Sequence, residues 1–172
     1  MFGRRKKDPT EPGSTPDPAR VFVGLRNQIL TLDPGSIGLS RDVAGGASWG
    51  CVMETGYPNG VATLVCLRDG TTSLYTSSGF GIIGGGGHAA VDRETASLLA
   101  ALDEHLADMS PSTDVALPRD GRTIFRALTF DGQRSYEAAE NDLGAGQSVL
   151  SPVFHAAHGV ITQLRLIDEA NR

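Results

Sequence analysis

Three stretches of the chain repeat apolar residues at the three- and four-residue spacing of an amphipathic helix. The first begins at Asp17-Pro18, where aspartate suits the N-cap and proline the first helical position. The second covers residues from about 88 to 109, and the third begins at Ser151-Pro152. Their apolar stripes contain Val21, Phe22, Leu25, Ile29 and Leu32; Val91, Thr95, Leu98, Leu102, Leu106 and Met109; and Val153, Ala157, Val160, Leu164 and Ile167.

Five shorter stretches carry the two-residue alternation and the turn signals of β-strands. The first, at residues 48–57, is followed by a Pro-Asn-Gly turn and a second strand. A tight Asp-Gly turn then leads into a third strand at 71–77, which completes a meander. A hairpin at 123–130 and 133–138 supplies the last two strands. Both faces of the meander are largely apolar, which indicates a sheet that is covered on each side.

The order of these elements predicts an α+β domain over residues 20–172. Its five-stranded, largely antiparallel sheet combines the three-strand meander with the hairpin, and three helices cover the faces of the sheet. A chain of 172 residues is long enough for one such domain with a sizeable core. Residues 1–19 hold four prolines among charged and small residues, so we expect a disordered N-terminal tail there.

The turn at residues 58–60 sets the expected register of the first two strands. A three-residue loop with its glycine in a bulge would pair Cys51 with Leu67 and place Cys66 on the opposite face of the sheet. A two-residue loop would bring the cysteines face to face, but the primed turn it normally uses requires a positive φ that proline cannot adopt. The pattern therefore predicts two free cysteines on opposite faces.

Charge narrows the classes of partner. The chain carries a formal net charge of −5, and residues 20–172 alone carry −6 because the tail is basic. An acidic domain is a poor match for nucleic acid or for an anionic membrane surface. The sequence lacks a run of 18 apolar residues and a secretory pattern at its N-terminus, so we expect a cytoplasmic protein.

The stretch SSGFGIIGGGGHAAVD, residues 77–92, is the most unusual part of the chain. Gly79, Gly81 and Gly84 satisfy the G-x-G-x-x-G pattern of dinucleotide sites. That site needs a strand, a tight turn and a helix that starts among the glycines, within a βαβ unit. Here the preceding strand belongs to an antiparallel meander and the helix starts after the last glycine. We therefore expect a flexible crossover and not a nucleotide site.

Two functional hypotheses remain for this stretch. The first is a non-enzymatic binding or adaptor module that contacts a protein partner, with self-association left open, through Gly79, Phe80, Gly81, Gly84, Gly85, Gly86, Gly87 and His88. Under it, alanine at Gly85 or Gly86 should weaken partner binding more than stability. The alternative is a small-ligand or anion-binding protein, or an enzyme, whose site spans residues 79–92 and uses the start of the following helix.

Other chemistry-bearing residues form no recognisable set, so no catalytic residue, metal ligand or cofactor is predicted. His155 and His158 have a chelating spacing, but no further ligand accompanies them and two solvent-facing histidines are the simpler interpretation. Glu54 falls on a half-apolar strand face, where a lone carboxylate provides no catalytic pair. We expect it at a sheet edge or paired with an arginine.

Two resemblances accompany these patterns. The segment DGTTSLYTSSGFGIIGGGGH, residues 69–88, resembles a segment of uncharacterised bacterial proteins, which implies a family feature without an activity. The predicted architecture resembles the small profilin/roadblock-type sandwiches, in which helices cover both faces of a five-stranded antiparallel sheet. Roadblock domains place two strands before the middle helix and three after it, whereas this chain is predicted to place three before and two after.

Overall fold

The structure is a computed structural model that describes residues 15–172. In this range the chain forms five α-helices, two short 3-10 helices (Pro34–Ile37 and Leu106–Asp108) and seven strands. The helices are α1 (Pro18–Leu30), α2 (Arg41–Ala44), α3 (Ala89–Glu104), α4 (Glu140–Gly144) and α5 (Ser151–Ala170). The strands are β1 (Ser48–Tyr57), β2 (Gly60–Leu67), β3 (Thr72–Thr76), β4 (Gly81–Ile83), β5 (Ser110–Pro111), β6 (Arg122–Thr129) and β7 (Gly132–Ala139).

All seven strands belong to one antiparallel sheet, in the order β4-β3-β2-β1-β6-β7-β5. The predicted α+β class and antiparallel sheet are confirmed, but the predicted count of five strands and three helices is wrong. The additional strands are β4, inside the glycine run, and β5, and the additional helices are α2 and α4. Each of these has five residues or fewer, which is too short for a hydrophobic repeat to show.

Helices cover both faces of the sheet, as the apolar meander predicts. On one face α3 and α5 pack on a continuous core, and the stripes predicted for these two helices are largely buried. On the other face α1 packs through Phe22 and Leu30 on a second core. Val21, which the pattern places in the buried stripe of α1, is exposed. The predicted tail lies mostly outside the described residues, although Pro18 and Ala19 belong to α1.

The predicted register of β1 and β2 is wrong by one residue. Tyr57 pairs with Gly60 across a two-residue loop, so Cys51 lies directly opposite Cys66 on the α3/α5 face. In residues 15–172 no residue other than glycine has a positive φ, so the loop closes without a primed conformation at its proline. Gly60, the first residue of β2, has a φ of +144°, a backbone conformation that favours glycine.

The two opposed cysteines are free thiols, as predicted, although not on opposite faces. Burial raises the pKa of the Cys66 thiol to about 12, and it raises that of Cys51 as well. Both thiols therefore stay protonated at neutral pH. Because the thiolate is the form that attacks a disulfide or binds a metal, neither cysteine is reactive in this state. The pair behaves as two small apolar core residues.

A buried ionic cluster lies on the α1 face of the sheet. Glu54, on the central strand β1, is fully buried and accepts hydrogen bonds from Arg26 of α1 (Nε to Oε1, 2.7 Å) and from Arg126 of β6. Thr63 donates a further hydrogen bond to its Oε1 at 3.1 Å. Of the two alternatives expected for Glu54, pairing with an arginine is confirmed, and two arginines supply it; the other alternative, a sheet edge, does not apply because β1 is the central strand.

The same two arginines hold the chain segment 112–118 against the sheet. Arg26 donates to the carbonyl of Val115 and Arg126 to that of Ala116, both at 2.6 Å. With its carbonyls turned inward, this segment leaves the side chains of Val115 and Leu117 largely exposed. The cluster therefore joins α1, β1, β6 and the 112–118 segment into one unit.

Candidate functional site

The glycine run folds back on β3 as a turn followed by an edge strand. The amide of Thr76 donates to the carbonyl of Phe80 at 2.8 Å, and the amide of Gly79 donates to the carbonyl of Thr76 at 3.1 Å. Gly79 has a φ of +101°, a conformation that favours glycine. β4 then pairs with β3, with Gly81 opposite Tyr75. The run is thus not the plain crossover that the sequence suggests.

Two of the expected contact residues pack inside the protein. Gly85 is buried, and its amide donates to the carbonyl of Thr72 at 3.0 Å. A Cβ on Gly85 would overlap a methyl group of Leu164 on α5. A Cβ on Gly86 would overlap the backbone carbonyl oxygen of Gly70. These two glycines are needed for close packing, so alanine at either position is expected to lower stability, which the sequence-based expectation gave as the smaller of its two effects.

We expect Gly86→Ala to lower the free energy of unfolding by about 1–3 kcal/mol, the usual cost of forcing extra atoms into a packed site. A backbone oxygen cannot rotate away as a side chain can, so the β2–β3 turn must shift. Chemical denaturation of the variant measures this loss. Gly81→Ala is the matched control in the same run, because a Cβ there meets Tyr75 only at an ordinary contact distance of 3.5 Å. Equal stability of both variants would contradict this account of Gly86.

The last part of the run leads into α3. Gly84 and Gly87 have φ of +78° and +89°. His88 is an exposed N-cap residue whose side chain makes no capping hydrogen bond. The amide of Gly87 donates to Oδ1 of Asp92 at 3.2 Å. The G-x-G-x-x-G residues therefore lie in a turn and an antiparallel edge strand, an arrangement different from the strand–turn–helix of a dinucleotide site.

β4 forms one open edge of the sheet. In an antiparallel pair, alternate residues bond to the neighbouring strand and the residues between them face away from it. Phe80 bonds inward to Thr76 and Ile82 continues that alternation, so the N–H and C=O groups of Gly81 and Ile83 point outward. At the opposite edge, β5 has two residues and ends in a proline. β4 is therefore the better template for an additional strand.

An apolar groove runs beside this edge on the α1 face. The cavity measures about 410 Å³ and lies between α1 and β4. Gly81 contributes no side chain to the groove, and Tyr75 opposite it also lines the groove although this residue is only 5 % exposed. Phe80 is 42 % exposed and Ile83 is 64 % exposed, which leaves apolar side chains at its rim. The other side chains that line it include Pro18, Val21, Phe22 and Leu25.

Sequence reasoning found only part of this surface. It selected Gly79, Phe80 and Gly81, which the structure places along the edge and the groove. It missed Ile83 and the α1 residues, because their contribution depends on α1 and β4 lying side by side. One sequence signal for the α1 side of the groove was available: Val21 is apolar and belongs to the predicted stripe of α1, but it lies at the margin of that stripe.

Within residues 15–172, no three His, Cys, Asp or Glu side chains are arranged to hold a metal ion. His155 is exposed and lies within hydrogen-bond distance of the Gly144 carbonyl, whereas His158 is half-buried against Phe154. None of the helices in the described range is long and apolar enough to cross a membrane.

Comparison of the chain with models of protein families, with curated proteins and with solved structures gives no match. The two resemblances drawn from the sequence therefore stay predictions. Functional inference for this protein rests on its own geometry.

Proposed function

We propose that this protein is a non-enzymatic, cytoplasmic binding module that takes up an extended segment of a partner protein as an additional strand on β4. The observation that carries the proposal is the combination of an open strand edge with an apolar groove beside it. Backbone groups at Gly81 and Ile83 supply hydrogen bonds that any sequence can make, and the groove selects a side chain.

The groove defines what the bound segment must contain. Side chains directly opposite each other on neighbouring antiparallel strands lie on the same face. A partner residue opposite Gly81 would therefore lie on the α1 face, over Tyr75, where the glycine leaves room. A medium-sized apolar side chain fits there, and the residue two positions away would contact Ile83. The partner is accordingly an extended peptide with apolar residues in alternation.

Charge favours a foreign segment over a second copy of this chain. Residues 20–172 carry a net charge of −6, so two copies placed edge to edge repel each other. A basic segment is attracted instead, and a neutral segment is not repelled. The anion-binding alternative at residues 79–92 is less well supported, because the Asp92 carboxylate already accepts a hydrogen bond at the start of α3.

The test uses a display library of random peptides, selected on the full chain and measured on single variants. Ile83→Pro removes an outward N–H while leaving inward bonds intact, and Ile83→Val retains both the N–H and an apolar side chain. Loss of one backbone hydrogen bond, with the bulk of the proline ring, should weaken binding about tenfold. Gly81→Val should fill the groove and weaken binding by a similar factor, whereas Ile83→Val should keep it.

The outcomes separate the possible occupants of the edge. Selected peptides that bind all variants equally, or a selection that yields no binder, would contradict the proposal. Sedimentation of the wild-type chain as a dimer that Ile83→Pro dissociates would show that a second copy occupies β4. Peptide binding that appears only after deletion of residues 1–14 would assign the groove to the N-terminal segment of the chain itself.

A further inference from the structure

A second cavity, of about 350 Å³, lies between α5 and the turn that joins β1 to β2. Its apolar wall includes Leu74, Ile161 and Phe80. Its polar wall includes Tyr57, His158 and Arg165. The volume falls in the range of small-molecule sites, and an apolar wall facing a few convergent polar groups is the usual composition of such sites.

Among residues 15–172, Arg165 supplies the only full positive charge in the lining of this cavity. Within residues 15–172 it has no carboxylate at ion-pair distance, although Arg172 on the same helix pairs with Asp168. A free guanidinium beside an apolar wall is well suited to a carboxylate, which it can bind through two parallel hydrogen bonds.

Of the polar groups of Tyr57, His158 and Thr162 beside this guanidinium, only the His158 ring has a proton left to donate to an anionic ligand, because the other two donate theirs within the protein. The hydroxyl of Tyr57 donates to Glu140 at 3.2 Å, and Glu140 itself does not line the cavity. Burial lowers the pKa of His158, so its ring is largely neutral at pH 7 and one ring nitrogen carries a proton to donate. The hydroxyl of Thr162, at the mouth, is directed to the helix by its hydrogen bond to the His158 carbonyl.

From this arrangement we infer that the cavity binds a small organic acid, with its carboxylate on Arg165 and its apolar body against Leu74 and Ile161. The site is distinct from the strand edge of β4, although Phe80 borders both. A ligand here would not need a partner protein, so the inference stands or falls independently of the proposed function.

Sodium octanoate is a suitable probe, with 1-octanol as the neutral molecule of matched shape. Methyl resonances of Leu74 and Ile161, followed by NMR during titration of the full chain, report binding at this cavity. Arg165→Gln should weaken octanoate binding about tenfold, because a charge-assisted hydrogen-bond pair is lost. Arg165→Lys should weaken it less, since the charge remains. Arg172→Gln is the matched control on α5 and should leave octanoate binding unchanged.

The inference is supported if octanoate changes the methyl chemical shifts more than octanol does and if this effect requires Arg165. Equal binding of octanoate to wild type and Arg165→Gln, or binding of octanol as tightly as octanoate, would reduce the cavity to an apolar pocket and overturn the inference. The absence of shifts at both methyl groups would overturn it as well. Circular dichroism of the exposed Arg165 variants confirms that the fold is intact before titration.

Discussion

Glu54→Gln should lower the free energy of unfolding by about 3–5 kcal/mol, the usual cost of removing one partner from a buried ion pair. The glutamine amide fits the same space but leaves Arg26 and Arg126 without a negative charge. Their guanidinium groups are nearly inaccessible to water, so solvent cannot compensate. Burial lowers the pKa of Arg126, which is the direction expected of a site that disfavours an unpaired positive charge.

The control for this variant is Glu137→Gln. Glu137 pairs with Arg122 at 2.9 Å between β6 and β7, but both side chains are about two-fifths exposed. A pair of this kind contributes about 0–1 kcal/mol. Urea denaturation of both variants measures the contrast directly. A loss below about 1 kcal/mol for Glu54→Gln would contradict a stabilising role of the buried cluster, because surface substitutions alone change stability by up to about 0.5 kcal/mol.

The cluster also shows why part of the fold was not accessible from sequence. The isolated carboxylate of Glu54 in an apolar strand signals a partner, and that much is read correctly. Its two partners lie 28 and 72 residues away, and the 112–118 segment joins them through backbone carbonyls. Every residue has a backbone carbonyl, so the residue types of this segment do not indicate these contacts. The segment therefore looks like an ordinary polar loop.

Long helices were predictable because many apolar residues in each of them follow the same spacing. The stripes of α3 and α5 repeat over several turns. α5 begins at Ser151 as predicted, whereas α3 ends at Glu104, before the predicted end near residue 109. The register of β1 and β2, in contrast, depended on the conformation of one two-residue turn. Gly60 relieved the constraint that the proline imposes, so the pairing moved by one residue and brought Cys51 opposite Cys66. A single residue of shift exchanges the two faces of a strand.

The sequence predicted where in the chain the candidate site lies, but not the structure that the glycine run adopts there. An excess of glycine marked residues 79–87, yet glycine serves as a turn residue, a packing residue and a strand residue within that one run. Gly79 forms the turn, Gly81 opens the groove, and Gly86 fits against the Gly70 carbonyl. Which role each position plays depends on neighbours brought near by the fold.

The packing of α3 against the sheet leads to the last prediction. Leu102 is fully buried in the larger core, and α3 contacts both β1 and α5. Leu102→Ala removes three carbon atoms from this core and should lower the free energy of unfolding by about 2–5 kcal/mol, which includes the cavity that is left. In a domain of this size, each kcal/mol corresponds to roughly 2–4 °C in the melting temperature.

Leu166→Ala on α5 is the control, since Leu166 is 52 % exposed. The same atoms are removed from a helix, so the difference between the two variants isolates burial from helix propensity. We expect the Leu166 variant to unfold within about 0.5 kcal/mol of wild type. Thermal and urea unfolding of both measure the difference. If Leu102→Ala were as stable as Leu166→Ala, the predicted stripe of α3 would not be its packing face.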